Sequence, residues 1–116
     1  MRITDPALRG RILEALGDPD SPKILHALGG VPKNAQTLAD EMAVPLSSMY
    51  RKLAVLKSAG LVVVKSFEIT PEGKRQDLFV AAVTEVRIGL GKNEVELELI
   101  PTDESADRIW FKLFNT

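Results

Sequence analysis

Only three residues, Ala43-Val44-Pro45, separate two helical patterns, and no other feature of the chain restricts its fold as tightly. Before them, Asn34 heads the stretch "NAQTLADEM", in which Ala35, Leu38, Ala39 and Met42 recur at i, i+3, i+4 and i+7. That spacing gathers the four on one face of a helix, and Asn34 stands where a cap is needed. After them, Met49, Leu53 and Leu56 repeat the same period in "LSSMYRKLAVLKS". Each helix has an apolar stripe to bury, and so short a connection forces the pair to cross tightly as a helix-turn-helix unit.

The flanking segments add elements on both sides. A first helix is expected to open at Thr4 or Asp5 with Pro6 in its first turn, where a missing N–H costs nothing, and to bury Leu8, Ile12, Ala15 and Leu16 before Gly17 stops it. A second follows in "GDPDSPKILHALGG": Asp18 or Ser21 can cap it, Ile24, Leu25 and Leu28 supply its stripe, and Gly29-Gly30 ends it. Beyond Ala59-Gly60 the period becomes that of strands. "LVVVKSFEI" and "DLFVAAV", joined by "TPEGKRQ", predict a hairpin with a basic tip. "VTEVRIGL" and "EVELELI" predict a second hairpin around "GKN". Its apolar face would carry Val86, Ile88, Leu90, Val95, Leu97 and Leu99, opposite Glu85, Arg87, Glu94, Glu96 and Glu98. A last helix is expected after Thr102 or Asp103, with Ala106, Ile109, Trp110, Leu113 and Phe114 along one stripe.

Composition narrows the chemistry. The sequence has no cysteine, which removes disulfides, thiolate metal sites and thiol nucleophiles, and it has one histidine, His26, with no second to pair with it. No Gly-rich phosphate loop or nucleophile motif is present, and the acidic residues near the C-terminus alternate along strands as a solvated face would. No enzymatic activity, cofactor or metal is therefore expected. "MRITDPALRG" lacks the apolar run of a signal peptide and no segment is apolar enough for a membrane span, so a cytoplasmic location with no membrane partner is expected. The 15 Lys+Arg nearly balance the 16 Asp+Glu, but they are not mixed evenly. From Pro45 to Val80, Arg51, Lys52, Lys57, Lys65, Lys74 and Arg75 outnumber Glu68, Glu72 and Asp77, whereas Thr84 to Arg108 is strongly acidic.

The basic middle contains a helix of unusual profile. With Met49 at the centre of the buried face, 100° per residue places Ser47, Arg51, Ala54 and Ser58 outermost, Tyr50 and Lys57 on one flank and Ser48 on the other. Small outward side chains let a helix backbone approach base edges in a major groove, and one long Arg can still reach guanine O6 and N7. Ser47 and Ser48 fall in the first turn, where hydroxyls and open N–H groups can meet phosphate oxygens. The order helix, helix, helix-turn-helix, basic hairpin is that of a winged helix-turn-helix, an α+β fold. The expected division is a winged helix-turn-helix DNA-binding domain over 1–82 and, over 83–116, the second hairpin and C-terminal helix as a dimerisation extension.

"ALGDPDSPKILHAL" and "LADEMAVPLSSMYRKLAVLKSAGLV" resemble the ArsR-type and related archaeal winged helix-turn-helix regulators, over roughly residues 13 to 80. The resemblance implies a dimeric transcriptional regulator that reads double-stranded DNA with the helix at 46–58 and touches the backbone or minor groove with the wing at 69–79. The residues expected on DNA are Gln36, Ser47, Ser48, Tyr50, Arg51, Lys57, Lys74 and Arg75, and those expected between two copies are Leu8, Ile12, Ile109, Trp110, Leu113 and Phe114. Three positions depart from the pattern. Ala43 stands where such turns often use Gly, Pro45 replaces a hydroxyl cap, and Pro22 sits in the second helix's first turn. Without Cys or clustered His, metal sensing has no support. Two other readings stay open: a winged helix used as a protein–protein interaction module, since a near-zero net charge gives little non-specific DNA affinity, and a small ligand-sensing or enzymatic domain built on the second hairpin. In the first of these, Ser47 and Ser48 are ordinary helix-start residues and Arg51, Lys74 and Arg75 are solvated charges.

Overall fold

The computed structural model describes residues 1–102. Its elements run β1 (Arg2–Ile3), α1 (Pro6–Leu16), α2 (Ser21–Ala27), α3 (Ala35–Met42), α4 (Leu46–Ser58), β2 (Val62–Ile69), β3 (Arg75–Ala81), β4 (Val83–Leu90) and β5 (Val95–Pro101). The helix expected after Thr102, with Ile109, Trp110, Leu113 and Phe114, lies outside the described residues.

The helices form where the apolar spacing put them, and their ends show why. Asp5 caps α1 by accepting the Ala7 N–H at 3.0 Å, with Pro6 following. Asn34 caps α3 through Oδ1, which accepts the Thr37 N–H at 2.8 Å. α3 closes with Val44 N–H donating to Ala39 O at 3.0 Å, which leaves Ala43 in the left-handed region at φ 53°, ψ 44°. α4 closes in the same way around Gly60 at φ 74°, with Leu61 N–H donating to Leu56 O at 3.0 Å. Both are Schellman endings, in which a left-handed residue turns the chain so that the next side chain folds back on the core.

α2 corrects the sequence reading. Neither Asp18 nor Ser21 caps it: the cap position is Asp20, which makes no capping bond with its side chain. Ser21 turns inward instead, is 2% exposed, and donates from Oγ to Ala15 O at 2.6 Å, joining α2 to the end of α1. Asp18 Oδ1 accepts the Asp20 N–H, so its side chain shapes the turn before the helix.

Two antiparallel sheets complete the fold: β2 pairs with β3, and β1, β5 and β4 form a second sheet in that order. The strand β1 has no counterpart in the sequence reading. It places Arg2 opposite Glu98 and Ile3 opposite Leu97, so the first residues lie beside the last described strand. In the second hairpin Val86 faces Leu99, Ile88 faces Leu97 and Leu90 faces Val95, which puts all six apolar side chains on one face. Only part of that face is covered: Leu97 and Leu99 are buried, while Ile88 and Leu90 are 54% and 91% exposed. On the opposite face Arg87 bridges Glu85 and Glu98, and Arg2 meets Glu96.

One core runs through all of this. Ile12, Ile24, Leu28, Leu38, Met49, Leu53, Leu56, Leu61, Val62, Leu97 and Leu99 are its largest fully buried side chains. Each stabilises the fold by roughly 1.5–3 kcal/mol relative to exposure. The boundary expected at 82/83 falls where only Ala82 separates β3 from β4, and residues on both sides of it share this core. Leu8 and Ile12, expected between two copies, belong to this core, at 2% and 0% exposure.

Candidate nucleic-acid interface

α4 is held by its inner face and leaves its outer face open. Met49, Leu53 and Leu56 are buried, whereas Ser47, Tyr50, Arg51, Ala54, Val55, Lys57 and Ser58 are exposed. Ser48 is half-buried. The N-terminal end of α4 is capped by no side chain, because Pro45 has none to offer, so the amides of its first turn remain open beside Ser47. Among the described residues, Arg51, Lys57 and the Tyr50 hydroxyl have no hydrogen-bond or ion-pair partner, whereas Lys52 is held in place. Its ammonium lies 2.6 Å from Asp18 Oδ2 and 3.3 Å from Asp20 Oδ2. The hydrogen bond from Lys52 is the main cause that lowers the Asp18 carboxyl from its ordinary value, and the same bond raises Lys52.

The wing is fixed to the helices at its root and stands free at its tip. Lys33 and Phe79 exchange backbone hydrogen bonds of 3.1 and 2.8 Å, which adds the loop before α3 to the edge of β3. Asn34, while capping α3 with its oxygen, donates from Nδ2 to Glu68 Oε1 at 2.8 Å and to Gln76 Oε1 at 3.0 Å. One side chain therefore ties the start of α3 to both wing strands. At the tip, Gly73 at φ 80° allows a tight turn in which Thr70 and Lys74 bond through N–H and O at 2.8 Å. The Lys74 side chain is exposed and without a partner among the described residues. Arg75 is not: its Nε lies 3.1 Å from Asp77 Oδ1 and its guanidinium sits 4.1 Å from the Phe67 ring centroid.

Between α4, the start of α3 and the wing lies an open cleft of about 360 Å³, and Gln36, Tyr50, Lys57 and Arg75 all line it. Gln36 also bonds back to Asp40, one turn along its own helix, at 2.9 Å. Arg51 and Lys52 line a different, smaller hollow on the other flank of α4, with Glu14, Asp18, Ser21 and Val55. Ser47 and Ser58 face outward, and Lys74 stands at the wing tip. The residues picked from the sequence thus fall into three places: the cleft, the outer face of α4, and the tip.

Sequence reasoning missed Lys52 and the second role of Asn34. Lys52 and Asp18 are 34 positions apart, as Asn34 and Glu68 are. No local pattern links residues at such separations; only the packing of α4 on the α1–α2 loop, and of the wing on α3, brings them together. Among the described residues no cluster of three or more His, Cys, Asp or Glu could hold a metal ion, and no helix is long and apolar enough to cross a membrane.

A tight α3–α4 pair on a small helical core, with the second helix outermost and a hairpin beside it, defines a helix-turn-helix domain. Residues 4–65, more than half of the chain, match the helix-turn-helix domain family, and the chain belongs to it. No curated protein matches the chain. Membership supports DNA as the partner and a regulatory role.

Proposed function

We propose that the protein is a sequence-specific transcriptional regulator of the ArsR-like, archaeal type, a cytoplasmic homodimer that binds double-stranded DNA without catalysing a reaction. In this reading α4 enters the major groove and the wing lies on the backbone or in the minor groove. The observation that carries it is the outer face of α4: Ser47, Ala54 and Ser58 are small and exposed, and Arg51 is the one long side chain among them, unpaired within the described residues. A backbone so little obstructed can come close to base edges, and a free guanidinium can span the remaining gap to guanine. Tyr50, Lys57 and Gln36 follow the groove edge from the cleft, and Lys74 reaches a phosphate from the wing tip.

The dimer is proposed to form through residues 103–116, whose Ile109, Trp110, Leu113 and Phe114 supply the aromatic and aliphatic anchors that dominate interfaces. The exposed Ile88 and Leu90 are apolar surface that such an assembly could cover. Replacing Trp110 and Phe114 together by Ala is expected to give a folded monomer with much weaker binding to a two-half-site operator, as read by sedimentation at micromolar concentration. A wild-type protein that sediments as a monomer there refutes the dimer.

Selection of bound sequences from a random duplex pool tests the function as a whole. Enrichment of a palindrome supports specific binding by a symmetric pair. A pool that emerges unenriched rejects specific DNA reading and favours the interaction module.

A further inference from the structure

Two adjacent cations on α4 are treated in opposite ways by the fold. Arg51 and Lys52 line the same hollow, beside Glu14 and Asp18. Lys52 binds Asp18 Oδ2 and Asp20 Oδ2, and Asp18 Oδ1 is taken by the Asp20 N–H. Both oxygens of Asp18 and one of Asp20 are therefore engaged, and Arg51, although next in sequence and in the same hollow, is left without an ion pair among the described residues.

We propose that Lys52 is a positioning residue for base readout: by occupying the carboxylates of the α1–α2 loop it leaves the neighbouring Arg51 free to project, and it makes no phosphate contact of its own. The proposal rests on the DNA-binding reading above. Its physical basis is competition. A guanidinium binds a carboxylate in a fork of two charge-assisted hydrogen bonds, a geometry an ammonium cannot match. If the Lys52 ammonium is removed, Arg51 is the nearest remaining cation in the hollow. Once paired there, it must break that pair before it can reach a base. The Lys52 side chain is only 21% exposed and its charge is already shared between two acids, so little of it is left for a phosphate.

The test compares binding of the full chain to the duplex recovered by selection and to a scrambled duplex, across a range of salt. The ratio of the two affinities removes the general effect of changing net charge. Lys52→Met is expected to lower that ratio roughly five- to hundredfold, the range set by losing one Arg–guanine contact. Adding Asp18→Asn and Asp20→Asn to Lys52→Met is expected to return the ratio to near the wild-type value, since the two carboxylates that Lys52 held are gone and Glu14, the other acid of the hollow, leaves Arg51 unpaired in the wild type as well. Lys52→Arg, which keeps the charge, should hold the ratio if the single Met variant folds poorly. Lys57→Met serves as the phosphate-contact reference, with a salt slope lower by about one. A triple variant that stays weak, with its slope reduced like that of Lys57→Met, overturns the proposal by making Lys52 a phosphate ligand. An unchanged ratio in Lys52→Met overturns it too. Wild-type protein that binds neither duplex instead overturns the DNA-binding reading, and the proposal falls with it.

Discussion

Arg51 and Ala43 show how much a single position can decide. Arg51→Ala removes the one long side chain from the outer face of α4 and is expected to cost about 1–3 kcal/mol on the selected duplex, with relaxed preference at one base pair per half-site. Unchanged specific affinity in a titration of that variant removes Arg51 from the readout. Ala43 and Gly60 occupy equivalent left-handed positions at the ends of α3 and α4, at φ 53° and φ 74°. Glycine adopts that conformation without the Cβ clash, at some cost in unfolded-chain entropy. Ala43→Gly should therefore stabilise the fold by about 0.5–1 kcal/mol in urea titration, and Gly60→Ala should destabilise it by about 1–2 kcal/mol. Ala43 stood out in the sequence only through the family resemblance, in whose turns Gly often holds that place; its left-handed backbone is what the structure adds. The fate of Ser21 was not legible: in sequence it is a plausible cap, and only its distance from Ala15 in the folded chain turns its hydroxyl inward.

Elements were legible to the extent that their own side chains determine them. The stripes of α3 and α4 and the alternation of the two hairpins were sufficient, since each buries a face whose period the sequence displays. β1 is two residues long and exists only because β5 is there to pair with it, so it leaves no period to read. The wing tip presents the same contrast in function. Lys74 and Arg75 look alike in sequence, but Arg75 is spent on Asp77 and Phe67 while Lys74 is not. Lys74→Ala is expected to weaken binding to all duplexes and reduce the salt slope by about one, and Arg75→Ala by less. Equal slopes for wild type and Lys74→Ala place the tip off the DNA. Asn34 couples two elements. Asn34→Asp keeps the cap of α3 but sets a carboxylate against Glu68, so α3 should persist while the wing loosens, seen as faster amide exchange in β3 at unchanged exchange in α3. Asn34→Ala should lose both, at about 1–2 kcal/mol.

Across the whole molecule, the Asp18–Lys52 contact makes stability depend on pH in a defined direction. The Asp18 carboxyl lies lower in the folded chain than its ordinary value, so its contribution is present above the ordinary carboxylate range and is lost as pH falls through the lowered value. Lys52 lies higher, so its contribution is present below the ordinary lysine range and is lost only as pH rises through the raised value. Denaturant titrations of wild type and Lys52→Met should therefore differ most near neutral pH and converge below about pH 4. A difference that persists in acid assigns the loss to packing of the lysine stem instead. The sheet that joins Ile3 to Leu97 has a consequence of another kind. On the ribosome, α1 to α4 emerge long before β5, yet Leu97 and Leu99 are part of the core those helices share. The helix pair is synthesised early and completed late. Closing so long a loop is entropically costly and slow, so the nascent chain carries an unfilled apolar side until β5 has been made.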